Sequence, residues 1–104
     1  MAESSGYKVL VIDDSNTIRR SAEIFLKQGG HEVLLAEDGF DALSKVNDFQ
    51  PHIIFCDILM PRLDGYQTCA IIKRNEKFAA TPIIMLSSND GFFDKARGRM
   101  VGSE

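Results

Sequence analysis

Tryptophan is absent from this sequence, and cysteine occurs only twice, at Cys56 and Cys69. Two cysteines make neither a disulfide framework nor a zinc-ligand pattern, so a reducing compartment, the cytoplasm, is expected. No apolar run is longer than four residues, far short of the roughly 20 that a helix needs to cross a bilayer. The opening stretch from Met1 to Gly6 is polar. It therefore carries no apolar leader core and reads as a flexible N-terminus. Neither charge dominates: 12 basic and 15 acidic side chains leave a formal net charge of -3. A nucleic-acid binder held by a broad cationic surface is disfavoured by that balance. Walker-type glycine loops, dinucleotide fingerprints, zinc-protease helix motifs and a helix-turn-helix segment are also missing.

What remains is an ordinary globular composition, 44% hydrophobic and 26% charged over 104 residues, enough for one domain with a core. Four short apolar runs punctuate the chain: Val9 to Ile12, Val33 to Ala36, Ile53 to Cys56 and Ile83 to Leu86. None alternates with polar residues, the pattern of parallel strands covered on both faces. Segments of helical period lie between them. Ile18, Ala22, Phe25 and Leu26 form a stripe ended by Gly29-Gly30, a good C-terminal stop. Ala42, Leu43 and Val46 form a second, entered at Asp38-Gly39 and closed before Pro51. Tyr66, Cys69, Ala70 and Lys73 mark a third after Asp64-Gly65, and a fourth runs from about Asp90 through Phe93, Ala96 and Met100. Alternating strands and helices predict an α/β chain of βα units.

The acids fall at the strand ends. The first run stops at Asp13-Asp14, the third at Asp57 and the fourth at Ser87-Ser88. Ligands of parallel α/β sheets bind outside the carboxyl ends of the strands, where strand order reverses. One aspartate after a strand is usually a turn or helix cap; three on one edge with a terminal serine point to chemistry. Mutually repelling carboxylates need protons or a cation, and an all-oxygen set suits Mg2+. In such a site Asp57 is a candidate nucleophile, because phosphoryl transfer to a carboxylate is mostly positioning and electrostatics. Ser87 is placed to donate to a phosphoryl oxygen. His31 and His52 precede strands without acidic or cysteine partners at ligand spacing and read as loop residues. Cys56 should face away from Asp57 and behave as a buried small hydrophobe, and Cys69 as helix packing. Arg19-Arg20 reads as a solvated helix face.

These residues resemble the receiver domains of response regulators, the CheY-like family. The resemblance rests on Val11-Ile12-Asp13-Asp14-Ser15, on Asp57 through Gly65 (DILMPRLDG), and on Thr81 through Ser88 (TPIIMLSS). It implies a flavodoxin-like, doubly wound parallel sheet of order 2-1-3-4-5. It also implies a phosphoacceptor at Asp57, direct Mg2+ ligation by Asp14, ligation through water by Asp13, and a ligand from the Leu59 carbonyl. Ser87 becomes the switch hydroxyl; Pro61 and Gly65 shape the loop. The implied protein is a signalling switch rather than an enzyme, phosphorylated by a chemotaxis-type histidine kinase and read by a protein partner at the fourth-helix surface, where Phe92 is a candidate contact. Met60 to Lys73 and Ser87 to Gly102 further resemble stand-alone receivers that control twitching motility through type IV pili.

Two departures accompany the resemblance. The family's fifth strand, with its Lys-Pro pair, and its fifth helix have no counterpart in these residues. The expectation is thus a receiver over residues 7–104, C-terminally truncated, monomeric when intact and open to edge-strand association as a fragment. Leu59 stands where family members tune the hydrolytic water, and an apolar side chain there predicts slow self-dephosphorylation. Two other readings compete. A Mg-dependent phosphohydrolase would typically carry a second aspartate where Leu59 stands, and a non-phosphorylated interaction module would not need the three acids.

Overall fold

The computed structural model describes residues 6–58, 60 and 62–86. Four strands, β1 (Lys8–Ile12), β2 (Glu32–Ala36), β3 (Ile53–Asp57) and β4 (Ile83–Leu86), alternate with three helices, α1 (Asn16–Gln28), α2 (Gly39–Phe49) and α3 (Gly65–Arg74). All neighbouring strands are parallel, in the order β2-β1-β3-β4. These are the first four places of the expected 2-1-3-4-5 arrangement. The chain reverses its direction of travel between β1 and β3, which fixes the site of ligand binding at their carboxyl ends.

Each apolar run lies where the sequence places a strand, and its alternation divides the core. Leu10, Ile12, Ile54 and Cys56 pack with Ala42, Val46 and Ile72 on the side of α2 and α3. Val9, Val11 and Phe55 pack with Ala22 and Leu26 of α1 on the other. Burying a side chain such as Leu10 or Ile54 stabilises by about 1.5–3 kcal/mol. The helices start where short polar side chains cap them. Ser15, Asp38 and Asp64 accept from backbone N–H groups of α1, α2 and α3 respectively, and Gln67 completes a capping box with Asp64. Gly29 closes α1 as expected, whereas α2 closes on Gln50 at a left-handed φ of 52°.

The third helix departs from its expected stripe. Tyr66 and Ala70 are exposed, and the inward residues are Thr68 and Ile72, with Cys69 half-buried. Two close approaches set this rotation. A Cβ at Gly65 would overlap the Asp57 carbonyl oxygen, and one at Gly39 would overlap the Thr68 hydroxyl. The helix therefore lies flush against the end of β3 and against α2, with Thr68 facing α2. A short 3-10 turn, Glu76–Phe78, follows α3 and buries Phe78; periodicity gave no sign of it. The expected fourth helix lies outside the described residues.

Candidate functional site

Asp13 extends the β1 ladder by one bond, its N–H donating to the Ala36 carbonyl at 3.1 Å. Its carboxylate accepts from the Ser15 N–H at 2.8 Å, and Ser15 in turn caps α1. Arg19, one turn into α1, donates to the Asp13 carbonyl at 2.7 Å and to Asn16 at 2.8 Å. The β1–α1 turn is thereby fixed from both sides. Arg19 is thus a clamp on the site rather than a merely solvated charge, a role that its spacing from Asn16 alone does not reveal.

Asp57 ends β3 opposite Leu86 of β4. The next peptide is held by the Ile58 N–H donating to Leu86 and by the Gly65 N–H donating to Ile58, at 2.9 and 3.0 Å. Asp57 is 1% exposed and Asp13 3%, whereas Asp14 is exposed. Carboxylate oxygens of all three lie within 4.8 Å of one another. Burial pushes the Asp13 carboxyl above its ordinary value; the Asp14 charge adds to this, against the opposing Ser15 N–H and Arg19.

Hard oxygen donors, two of them buried and one open to water, suit a Mg2+ ion, which retains several of its waters. The residues present therefore fit the ion that the sequence suggests, and Asp13, Asp14 and Asp57 would hold it. Leu59, Pro61 and Ser87 lie outside the described residues, as do Phe92 and Phe93.

With this geometry in place, comparison with known proteins is decisive. Residues 9–104 match the response regulator receiver domain family. The chain belongs to that family. This receiver is 66% identical to Protein PilG of Pseudomonas aeruginosa, over 98% of the chain and 76% of that protein. It is 34% identical to the alkaline phosphatase synthesis transcriptional regulatory protein PhoP of Bacillus subtilis, covering 93% of the chain but only 40% of that regulator. Among solved structures, the chemotaxis protein CheY4 of Vibrio cholerae superposes with a TM-score of 0.79 at 32% identity, over 95% of this chain and 82% of that one. The fold is thus flavodoxin-like, as expected, and the chain is the receiver domain of a signalling response regulator.

Around the receiver's acidic cluster, Arg62 adopts a left-handed φ of 68°. It pairs with Asp38 at 2.8 Å and lies over the Phe40 ring, bracing the loop after Asp57 against the start of α2. No sequence signal marks this contact, since the partners are 24 residues apart. The histidines sit in loops, as expected, and each has a bonding role. Nδ1 of His31 accepts from the Tyr7 N–H at 3.0 Å, and Nδ1 of His52 from the Lys8 N–H at 2.9 Å. They fasten the entry of β1. A groove of about 470 Å³ lined by Gln50, Pro51, His52 and Lys77 lies at the same end, remote from the carboxylates. Among the described residues, no helix is long and apolar enough to cross a membrane.

Proposed function

We propose that this receiver accepts a phosphoryl group on Asp57 from a chemotaxis-type histidine kinase and thereby changes which protein it binds. The observation that carries the proposal is the convergence of the Asp13, Asp14 and Asp57 carboxylates within 4.8 Å at the strand-order reversal. A carboxylate oxygen of Asp57 attacks phosphorus, the bond from phosphorus to the donor imidazole nitrogen breaks, and that nitrogen keeps the electron pair. Burial and the fixed peptides at Ile58 and Gly65 hold the attacking oxygen in place, which is what this class of transfer needs from a protein. Asp13, Asp14 and Asp57, with the Leu59 carbonyl, would hold a Mg2+ ion, which would supply positive charge against the phosphoryl oxygens. Ser87 is the proposed switch hydroxyl, and the fourth-helix surface the proposed docking face for the output protein.

Similarity to PilG, together with the Met60–Lys73 segment, supports a cytoplasmic role in the chemosensory control of type IV pili and twitching motility. Acetyl phosphate with Mg2+, followed by intact mass, tests the central proposal. One phosphoryl adduct is expected on the wild-type chain and none on Asp57→Asn. An adduct that persists in D57N, or multiple turnover of phosphate esters, would overturn it.

A further inference from the structure

Cys56 and Cys69, 13 positions apart by their numbers in the sequence, meet in the core layer between β3 and α3. Cys56 turns its side chain into this layer, its sulfur 3.6 Å from the Asp57 carbonyl oxygen and 4.0 Å from the Gly65 carbonyl oxygen. In the helix that carbonyl accepts from the N–H four residues on, which is that of Cys69. The strand sulfur therefore lies under the helical turn that carries the second cysteine. The two thiols are close enough to interact electrostatically. Cys69 also donates to the Met85 sulfur at 3.3 Å, and Met85 is the β4 register partner of Cys56. Contact between a strand thiol and a helix thiol is made possible by Gly65, whose missing side chain lets α3 rest on the Asp57 and Ile58 backbone. Both cysteines are free in this structure.

We propose that Cys56 and Cys69 form a reversible intramolecular disulfide when the protein meets a hydroperoxide, covalently tying α3 to the residue before Asp57. Cys69 is the attacking thiol. It is half-buried where Cys56 is wholly buried, and is therefore the thiol that a hydroperoxide reaches first. Its sulfur takes the outer oxygen of the hydroperoxide, the O–O bond breaks, and an alcohol or water leaves. The Cys56 sulfur then attacks the resulting sulfenic acid, the S–O bond breaks, and hydroxide departs with the Cys56 thiol proton as water. Two thiols lose two electrons and the peroxide gains them.

The test treats the folded, reduced full chain with hydrogen peroxide, quenches with an alkylating agent and reads intact mass and a non-reducing peptide map. The expected product is a monomer that has lost two hydrogens, takes no alkyl group, yields a linked pair of peptides carrying Cys56 and Cys69, and returns to two free thiols with dithiothreitol. In Cys56→Ala the expected product is Cys69 sulfenic acid, trapped by dimedone, with no internal link. Circular dichroism of each variant establishes that it is folded. Two alkylated thiols after peroxide, oxygen added to Met85 or Cys69 without a link, or a disulfide dimer through Cys69 would each overturn the proposal.

Discussion

Replacing Asp13 by asparagine should stabilise the metal-free protein while greatly weakening its response to Mg2+. The reasoning starts from Asp13 and Asp57, both buried, with carboxylate oxygens within 4.8 Å. At an effective dielectric of 20, two unit charges at that separation repel by about 3.5 kcal/mol. Asparagine keeps an oxygen to accept the Ser15 N–H, and exchanging a charged acceptor for a neutral one costs about 1 kcal/mol. The net gain is roughly 2 kcal/mol, a rise in Tm on the order of 10 °C for a domain of this size. Thermal unfolding followed by circular dichroism, in EDTA and then with excess Mg2+, reads both parts. Ligand at ten times the wild-type Kd adds about 1.4 kcal/mol; the variant, with one carboxylate fewer, gains far less.

The pH dependence carries a sign of its own. Because the folded Asp13 carboxyl titrates above the ordinary 3.8, the native state binds the proton more tightly than the unfolded chain does. Wild-type stability from this group is lost as pH rises through the folded value, and the advantage of D13N shrinks as pH falls toward 3.8. A D13N protein that melts below wild type in EDTA, or that keeps the full wild-type Mg2+ shift, would refute the electrostatic account of the site.

Three further substitutions probe the frame that holds the site. Asp64→Ala removes the N-cap and capping box of α3 and should cost about 1 kcal/mol in urea unfolding; an unchanged midpoint would show that α3 is held by packing alone. Asp41, below the ordinary carboxylate range despite burial because of its Lys45 and Glu37 hydrogen bonds, contributes stability that is present above pH 3.8 and lost as pH falls through its lower folded value. Asp41→Asn should therefore melt slightly below wild type near neutrality and equal it in strong acid, as followed by thermal scans across pH. Gly65→Ala forces a Cβ onto the Asp57 carbonyl oxygen. It should lower stability by about 1–3 kcal/mol and slow phosphorylation by acetyl phosphate, read by intact mass; a wild-type rate would show that the loop yields without moving Asp57.

The legible parts of the sequence were those in which one residue type has one physical use. Continuous apolar runs rich in Val and Ile favour a sheet covered on both faces, so β1 to β4 and the inward turn of Cys56 could be read from the sequence. Carboxylates following those runs had to meet once the strands were parallel, so the cluster of Asp13, Asp14 and Asp57 followed from order alone. Illegible were the contacts set by fit between distant backbones. Tyr66 looked like a core residue because its spacing from Cys69 and Ala70 puts it on one helical stripe, but the close seats at Gly65 and Gly39 rotate it outward and turn Thr68 in. His31 and His52 offer nothing at ligand spacing, and only the closed sheet brings each Nδ1 to the N–H groups of Tyr7 and Lys8. The cysteines belong to the same class. Their types and positions are plain in the sequence, but their meeting depends on how far a glycine lets α3 descend onto β3. The close seating of α3 on the Asp57 backbone thus depends on a glycine, whose effect appears only when two elements touch.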